Sequence, residues 1–310
     1  MKRILEVRRG AERVGVLTFT KSGDVSLRYT KEFLGQREAG RPGISCSLPV
    51  SNAARSATAW CRGLLPEGEA LRLLAADLRV SVFDTHALLV RHGRDVAGAF
   101  EIVDPDGGSR REAGLAPYSP ASLIDHVAEV ATGEHPLGLR DDGELSLAGV
   151  QNKLLLVATR DGWARPVHGY PSTHILETDH AVHRKIVDAE HAALAFARQL
   201  GLEAAESEVV TLGDIRCVIV KRFDRTSRDG VIDRLHQEDL LQAVGLDPTA
   251  RGGRMKYQTD DVGPPSLWHL AELLKRFGSE EDLIVLIAFV VFNTLIGNGD
   301  AHACTLARPA

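Results

Sequence analysis

The residues closest to a recognisable chemistry lie near the end of the chain, in the turn Gly297-Asn-Gly-Asp300-Ala-His302 that follows an apolar segment. A carboxylate on a tight turn can orient an attacking hydroxyl and accept its proton during phosphoryl transfer. Asp300 is therefore a candidate catalytic base, whereas His302 is expected to be structural. The same residues also fit an Asx turn that ends a helix, because Gly-Asp is a common pair.

The loop of residues 142–153 is a second candidate, because it combines Ser146, Gly149 and Lys153. Serine and glycine let a backbone bend so that its N–H groups point at phosphate oxygens, and a lysine adds a point charge. The spacing is not that of a Walker A motif and does not support a P-loop NTPase. On composition alone, an ordinary turn into a hairpin is the favoured interpretation.

The third candidate is the apolar strand that ends in Lys221-Arg-Phe223-Asp224-Arg225. Kinase-like folds use a strand and a short connector of this kind to offer backbone donors and acceptors to adenine. A strand that ends in a solvated charge cluster explains the same residues equally well. Four histidines cluster loosely but lack the spacing of a zinc site; they are His174, His180, His183 and His191.

Hydrophobic periodicity predicts the elements that must position these residues. Residues 1–30 alternate as three short antiparallel strands, and two helices and a closing strand follow them. The stretch 104–120, rich in proline and glycine, is a predicted linker. Strands, a helix and a hairpin are predicted between residues 153 and 220, and mainly helices beyond residue 236. The predicted helices are Gly68–Leu78, Val82–Arg91, Ala189–Leu200, Glu238–Val244, Ser266–Phe277 and Glu280–Ile296.

The composition bounds the class of protein. The 310-residue chain has a net charge of -5, which gives no general attraction to nucleic acid. Its four cysteines are scattered without a CxxC pair, which argues against a zinc module and fits a reducing cytosol. No export signal is visible. The most apolar run, Leu283–Ile296, is too short to span a bilayer and is a predicted buried helix, so we expect a cytoplasmic protein.

Taken together and in this order, the motifs of the chain resemble the HipA family of bacterial serine/threonine kinases, the toxins of HipBA-type toxin–antitoxin modules. The resemblance extends from the first domain to about residue 303. The segments that carry it are Leu64-Leu-Pro-Glu-Gly68, Gly93-Arg-Asp-Val-Ala-Gly98, Ser146-Leu-Ala-Gly149-Val-Gln-Asn-Lys153, Pro171-Ser-Thr-His-Ile-Leu176, Val220-Lys-Arg-Phe-Asp-Arg225, His236-Gln-Glu-Asp239 and Ile296-Gly-Asn-Gly-Asp-Ala-His302.

The resemblance implies an α+β chain with a two-lobed protein-kinase-like fold, preceded by a small N-terminal α+β domain and with an incomplete large lobe. We expect the N-terminal domain at residues 1–110 and a linker at 111–135. The small kinase lobe with the nucleotide loop is expected at 136–235, and the truncated start of the helical large lobe at 236–310.

The resemblance also implies transfer of the γ-phosphate of ATP, with Mg²⁺, to a protein of the translation machinery and to Ser146 itself. Asp300 would be the catalytic base, and phosphate on Ser146 would expel the loop by repelling ATP. The partner would be a HipB-like antitoxin, and DNA would be contacted only through it. The residues implied in ATP binding are Leu147, Ala148, Gly149, Lys153, Lys221 and Phe223, and those implied in support are Glu177, Asp224, Gln237 and His302.

Two departures from the family pattern weaken this expectation. Thr305 stands where the family has a metal-binding asparagine, and no carboxylate side chain follows Asp300, so no intact metal site is expected there. We therefore expect little or no kinase activity, as after a frameshift or a premature stop. Glu177 stands where the family has a phosphate-contacting lysine, and Lys221 where it commonly has glutamate. We expect these two side chains to pair as a charge swap on neighbouring strands.

Two other functions stay open at this point. The chain could be a non-enzymatic module that binds an antitoxin and modulates transcriptional repression without transferring phosphate. It could also be a small-molecule phosphotransferase, because the same combination of an aspartate and a phosphate loop serves that reaction.

Overall fold

A computed structural model of the chain describes residues 3–107, 112–132, 153–179, 186–228, 230–249, 266–299 and 307–309. These residues form two compact units. Unit 1 combines the described residues up to 107 with those from His236 onward, and unit 2 comprises the described residues between 112 and 235. The segment predicted to begin the large lobe therefore shares a unit with the N-terminal segment.

The N-terminal part of unit 1 is a mixed α/β region whose strands are β1 Arg3–Arg9, β2 Glu12–Phe19, β3 Val25–Tyr29, β4 Pro42–Ser45, β5 Leu48–Pro49, β6 Arg55–Ser56 and β7 Glu101–Val103. Its helices are α1 Lys31–Gly35, α2 Thr58–Gly63, α3 Gly68–Asp77 and α4 Thr85–His92, and a 3₁₀ turn covers Gly93–Asp95. The three strands predicted within residues 1–30, the closing strand and both predicted helices are confirmed.

Five of these strands form one antiparallel sheet in the order β6-β3-β2-β1-β7. Side chains alternate between its two faces, as the strand geometry requires. Leu5, Leu17 and Leu27 lie directly opposite one another on β1, β2 and β3 and are buried. Their alignment gives this part of unit 1 its own core.

Unit 2 is built on a six-stranded sheet. Its strands are β8 Gly114–Pro117, β9 Lys153–Thr159, β10 Gly162–Val167, β11 His174–Thr178, β12 Ser207–Leu212 and β13 Ile215–Lys221, and the separate hairpin is β14 Arg225–Arg228 with β15 Val231–Arg234. The sheet order is β12-β13-β11-β9-β10-β8. The two helices are α5 Pro120–Thr132 and α6 Ile186–Gln199.

The two helices of unit 2 lie on opposite faces of its sheet. Leu123 and Val127 of α5 pack against Leu176 and the other buried side chains of one face. On the other face, His191 of α6 and Ser207 of β12 are hydrogen-bonded, with 3.0 Å between Nδ1 and Oγ. The sheet is thus covered on both sides, and its central strand β9 is apolar from position 154 to 158 and buried over most of that run.

The C-terminal part of unit 1 contains strands β16 Gln237–Asp239 and β17 Ala307–Pro309, which pair with each other, and helices α7 Leu240–Val244, α8 Leu267–Phe277 and α9 Glu280–Leu295. It packs directly on the N-terminal part. The Glu238 carboxylate accepts a hydrogen bond from the Cys46 N–H at 2.8 Å, and the Ser47 hydroxyl donates to the Gln242 carbonyl at 2.6 Å. The ring of His236 meets Phe100 edge-on.

Helix α9 confirms the predicted helix but not its predicted burial. Ser279 and Asp282 close a capping box at its start, which satisfies N–H groups of the first turn. Some of its apolar side chains, spaced one or two turns apart along the helix, are exposed to solvent. Ile284 is 66% exposed and Leu295 is 81% exposed. Phe292 of the same helix is buried. Periodicity could not predict this, because an apolar residue on every side of a helix does not say which side is covered.

Among the helices of the described ranges, none has both the length and the hydrophobicity that crossing a bilayer requires.

Asp239, the first residue of α7's capping box, is expected to make stability depend on pH. Burial raises the pKa of its carboxyl to about 7, and the carboxylates of Glu238 and Glu67 add to the rise. A carboxyl whose pKa is raised on folding stabilises the fold below its unfolded pKa near 4 and loses that contribution as the pH rises through 7. We expect the free energy of unfolding, relative to Asp239→Asn, to fall by about 2–4 kcal/mol between pH 4 and 8.

Urea unfolding of both proteins across this pH range measures the difference. The comparison with Asp239→Asn is needed because burial lowers the pKa of His92 to about 3 and that of His236 to about 4. Those two histidines act in the opposite direction, since their contribution is lost as the pH falls below 6.5. Asparagine can still cap α7, so parallel pH profiles for the two proteins would contradict the prediction.

Candidate functional site

The predicted nucleotide-binding residues that the structure describes lie in unit 2, and Lys153 is the first of them. It opens β9 and stands directly opposite Glu177 of β11 in the antiparallel ladder. Directly opposed residues project from the same face of a sheet. The Lys153 ammonium and the Glu177 carboxylate are 3.5 Å apart, and their side chains are 7% and 16% exposed. The two form a mostly buried ion pair.

Toward Leu155 and Val218, the face of the sheet next to this pair is apolar. Val218 of β13 lies opposite Glu177, and Leu155 with Ile175 forms the next rung on the same face. Leu155 and Val218 are buried. An ion pair in such a setting is less screened by solvent than a surface pair, so each charge strongly affects any third charge that approaches.

The expected pairing of Glu177 with Lys221 is wrong. Lys221 lies opposite His174 in the ladder between β13 and β11, and the alternation along β11 puts positions 174 and 177 on opposite faces. The Lys221 ammonium instead lies 3.1 Å from the Glu206 carboxylate, at a half-exposed position. Burial, and then the nearby Lys221 charge, lower the pKa of His174. Lys153 and Lys221 therefore do not converge on one face.

The connector after β13 contains a buried ionic cluster. Asp224 accepts two hydrogen bonds from Arg222, at 2.9 and 2.8 Å, and a third from Arg225 at 2.7 Å. Arg222 also donates to the Ser172 hydroxyl at 2.8 Å. Arg222, Asp224 and Arg225 are each less than 5% exposed. Asp224, predicted to support the site, lies at the centre of this cluster, while the side chain of Phe223, between these residues, is half-exposed.

The cluster also shows what the sequence interpretation missed. One of the two interpretations of this stretch placed Arg222 and Arg225 in a solvated charge cluster, yet both are buried and lie between β13 and the rest of β14. The Arg222 N–H donates to the Thr173 carbonyl at 2.9 Å, which ties the connector to the residue before β11. An acidic residue flanked by arginines at the end of an apolar strand was the available signal.

The other predicted residues are distributed differently. Gln237 lies in unit 1, where it opens β16 and pairs in register with Pro309. The remaining predicted site residues lie outside the described residues; they are Ser146, Leu147, Ala148, Gly149, Asp300, His302 and Thr305.

The described residues fit a nucleotide in part. Lys153 supplies the cation that a phosphate needs, but the Glu177 carboxylate beside it offsets that charge. Within the described ranges, no group of three or more His, Cys, Asp or Glu residues could hold a metal ion. The residue predicted at the Mg²⁺ ligand position, Thr305, is not among them.

Comparisons with known proteins identify the family. Residues 5–103 match the HipA N-terminal domain, and residues 145–306 match the HipA-like C-terminal domain. The putative kinase Y4mE of Sinorhizobium fredii is 35% identical in an alignment that covers 97% of this chain and 72% of that protein. The serine/threonine-protein kinase toxin HipA of Shewanella oneidensis is 29% identical over 96% of this chain and 69% of its own length.

A solved structure supports the same assignment. HipA in a complex of HipA, HipB and operator DNA from Shewanella oneidensis matches with a TM-score of 0.79 at 26% identity, covering 98% of this chain and 72% of that chain. The expected kinase-like fold behind an N-terminal domain is confirmed by this match. The two family matches and the 35% identical relative show that the chain belongs to the HipA family of kinases.

Proposed function

We propose that this protein is a HipA-type serine/threonine kinase, which transfers the γ-phosphate of ATP to a protein hydroxyl in the presence of Mg²⁺. The observation that carries the proposal is the position of Lys153. It follows the loop predicted to bind phosphate, at the first residue of β9, and its side chain is only 7% exposed. A buried lysine at the base of a Ser- and Gly-containing loop suits a phosphate group.

The roles follow from the chemistry of each residue. In phosphoryl transfer the protein mainly positions groups and supplies electrostatic stabilisation. Lys153 and the backbone of residues 146–149 would bind phosphate oxygens, and Asp300 would orient the attacking hydroxyl and accept its proton. Bound Mg²⁺ would neutralise phosphate charge. The connector at Phe223, held by the buried Asp224 cluster, would present its backbone to adenine.

The proposed partner is a HipB-like antitoxin, because the matched Shewanella protein is seen in a complex with HipB and operator DNA. The proposed substrates are a protein of the translation machinery and Ser146 of the chain itself. We expect slow transfer, since Thr305 is a poor ligand for Mg²⁺ and Glu177 opposes phosphate at Lys153.

The test is phosphate transfer from γ-labelled ATP in the presence of Mg²⁺, with the labelled position located by mass spectrometry. Asp300→Asn is expected to reduce labelling about 100-fold, because general-base catalysis contributes at least that much. Ser146→Ala should remove the label on the chain itself. Asp214→Asn is the matched control, since Asp214 is an exposed carboxylate of the β12–β13 turn. Equal labelling in wild type and Asp300→Asn would contradict the assigned base.

The second candidate is an antitoxin-binding module without phosphate transfer. It is favoured by the ion pair that offsets the Lys153 charge. Co-expression with a HipB-like antitoxin distinguishes the two functions. Stable co-purification together with a failure to bind ATP would support the binding module, whereas Mg²⁺-dependent labelling would support the kinase.

A further inference from the structure

We infer that Glu177 is a positioning residue that holds the Lys153 ammonium and competes with a nucleotide's phosphate for it, so that Glu177 sets the affinity of the site for nucleotide. The inference rests on the proposed function, which makes Lys153 a phosphate-binding residue. It goes beyond that function by assigning a specific role to a carboxylate on the neighbouring strand.

The backbone fixes the pair. Lys153 and Glu177 are direct partners in the ladder between β9 and β11, and directly opposed Cβ atoms lie about 4.5–5.5 Å apart. The Cβ atom of Glu177 therefore cannot move away from the Cβ atom of Lys153 without a change of register. A shift by one residue would turn every side chain of the strand to the other face, including Leu176, which is buried in the core. The core thus keeps Glu177 beside Lys153.

The Lys153 ammonium and the Glu177 carboxylate are not in tight contact. Tight charge-assisted hydrogen bonds between nitrogen and oxygen measure about 2.7–2.9 Å, whereas this pair is separated by 3.5 Å. A lysine has a flexible four-carbon stem that can turn its ammonium toward a second acceptor. The ammonium can therefore reach an incoming phosphate while Glu177 stays in place.

The same carboxylate must repel that phosphate. A phosphate that contacts the Lys153 ammonium also lies close to the Glu177 carboxylate, since both groups lie beside the same ammonium. The repulsion between two negative charges at such a separation is substantial near a protein surface. The neighbouring positions Leu155, Ile175 and Val218 are apolar and do not screen the repulsion. Glu177 therefore has two opposite effects: it orders the lysine and weakens the binding of phosphate.

The experiment compares Glu177→Gln with the wild-type protein by calorimetric titration with ATP, AMP and adenosine. Glutamine keeps the size of the side chain and removes its charge. We expect ATP to bind about 10-fold more tightly to the variant, AMP to gain less, and adenosine to bind equally. Asp188→Asn is the matched control, because Asp188 is a half-exposed carboxylate of the same unit that pairs with Arg216. The nucleotide affinities of this variant should equal those of wild type.

A kinetic measurement separates positioning from repulsion. In Glu177→Gln the KM for ATP should fall, and kcat should fall as well, because the ammonium is less well ordered. If the carboxylate only stabilised the fold, its removal would not lower the KM for ATP and kcat together. If Glu177→Gln does not fold, the double variant Lys153→Met with Glu177→Met removes both charges, and its ATP affinity should no longer exceed its adenosine affinity.

The outcomes separate the inference from the function on which it rests. Equal ATP affinity of wild type and Glu177→Gln, with phosphate transfer intact, would overturn the inference and leave the kinase. A gain that is equal for ATP and adenosine would also overturn it, because the effect would not depend on phosphate. If neither protein binds any nucleotide, the proposed function and the inference both fail.

Discussion

Replacing Asp224 by asparagine is expected to destabilise the protein by about 3–5 kcal/mol, because it breaks a buried ionic cluster from its centre. Arg222 and Arg225 share this one carboxylate through hydrogen bonds of 2.7–2.9 Å, and all three side chains are buried. Asparagine keeps the shape but removes the negative charge and turns one acceptor into a donor that faces a guanidinium. Two buried guanidinium groups then lose the carboxylate that they share.

Thermal unfolding measures the effect. A loss of this size lowers Tm by about 10 °C or more in a domain of the size of unit 2, which contains Asp224. Asp188→Asn is the control, since it also removes a carboxylate that hydrogen-bonds an arginine, Arg216, but at a half-exposed position. Exposed ion pairs contribute about 0–1 kcal/mol, so the control should unfold close to wild type. Equal Tm values for the two variants would show that burial does not strengthen the Asp224 cluster.

The Asp224 cluster bears on how far the sequence determines the site. Charged residues at the end of an apolar strand predicted both the strand and the connector, and both are present as β13 and the segment before β14. The pattern could not show that the charges are buried, because a run of charges is usually a solvated surface. The burial depends on a tertiary contact, in which the connector meets the residue before β11 through the hydrogen bond from Arg222 to Thr173.

Register is the second quantity that the sequence left open. The strands that contain Lys153, Glu177 and Lys221 were all predicted, and all are present in one sheet. The predicted partner of Glu177 was nevertheless wrong, because a side chain's face depends on its position along the strand and not on its charge. Lys153 rather than Lys221 lies opposite Glu177. Charge complementarity alone therefore suggested a pairing that the ladder excludes.

The contact between two motifs of unit 1 is a third feature that the sequence could not predict. The segments Gly93–Gly98 and His236–Asp239 were recognised separately, and nothing in their composition indicates that they touch. In the structure Gly98 packs against the backbone of Gln237. Contacts between segments so distant in sequence arise from tertiary packing, whereas α3 and α9 could be predicted from local periodicity.

Gly98→Ala is expected to cost about 2–5 kcal/mol, because two separate penalties add at this position. Gly98 has φ of +83°, a left-handed conformation that costs an L-residue about 1–2 kcal/mol. A Cβ atom there would also stand 2.8 Å from the Gln237 carbonyl oxygen and 3.1 Å from its nitrogen. Both atoms belong to the backbone of β16, so relief requires a shift of the strand, and such overpacking costs about 1–3 kcal/mol.

Gly40→Ala separates the two penalties within the same protein. Gly40 has nearly the same φ, +82°, but nothing lies within 4 Å of the Cβ position. Its alanine variant should therefore lose about 1–2 kcal/mol, the conformational cost alone. The difference between the two variants in urea unfolding then measures the contact between Gly98 and β16. If the two losses are equal, the close approach contributes nothing, and the packing of the N-terminal part of unit 1 on β16 must depend on its other contacts, such as the one between Cys46 and Glu238.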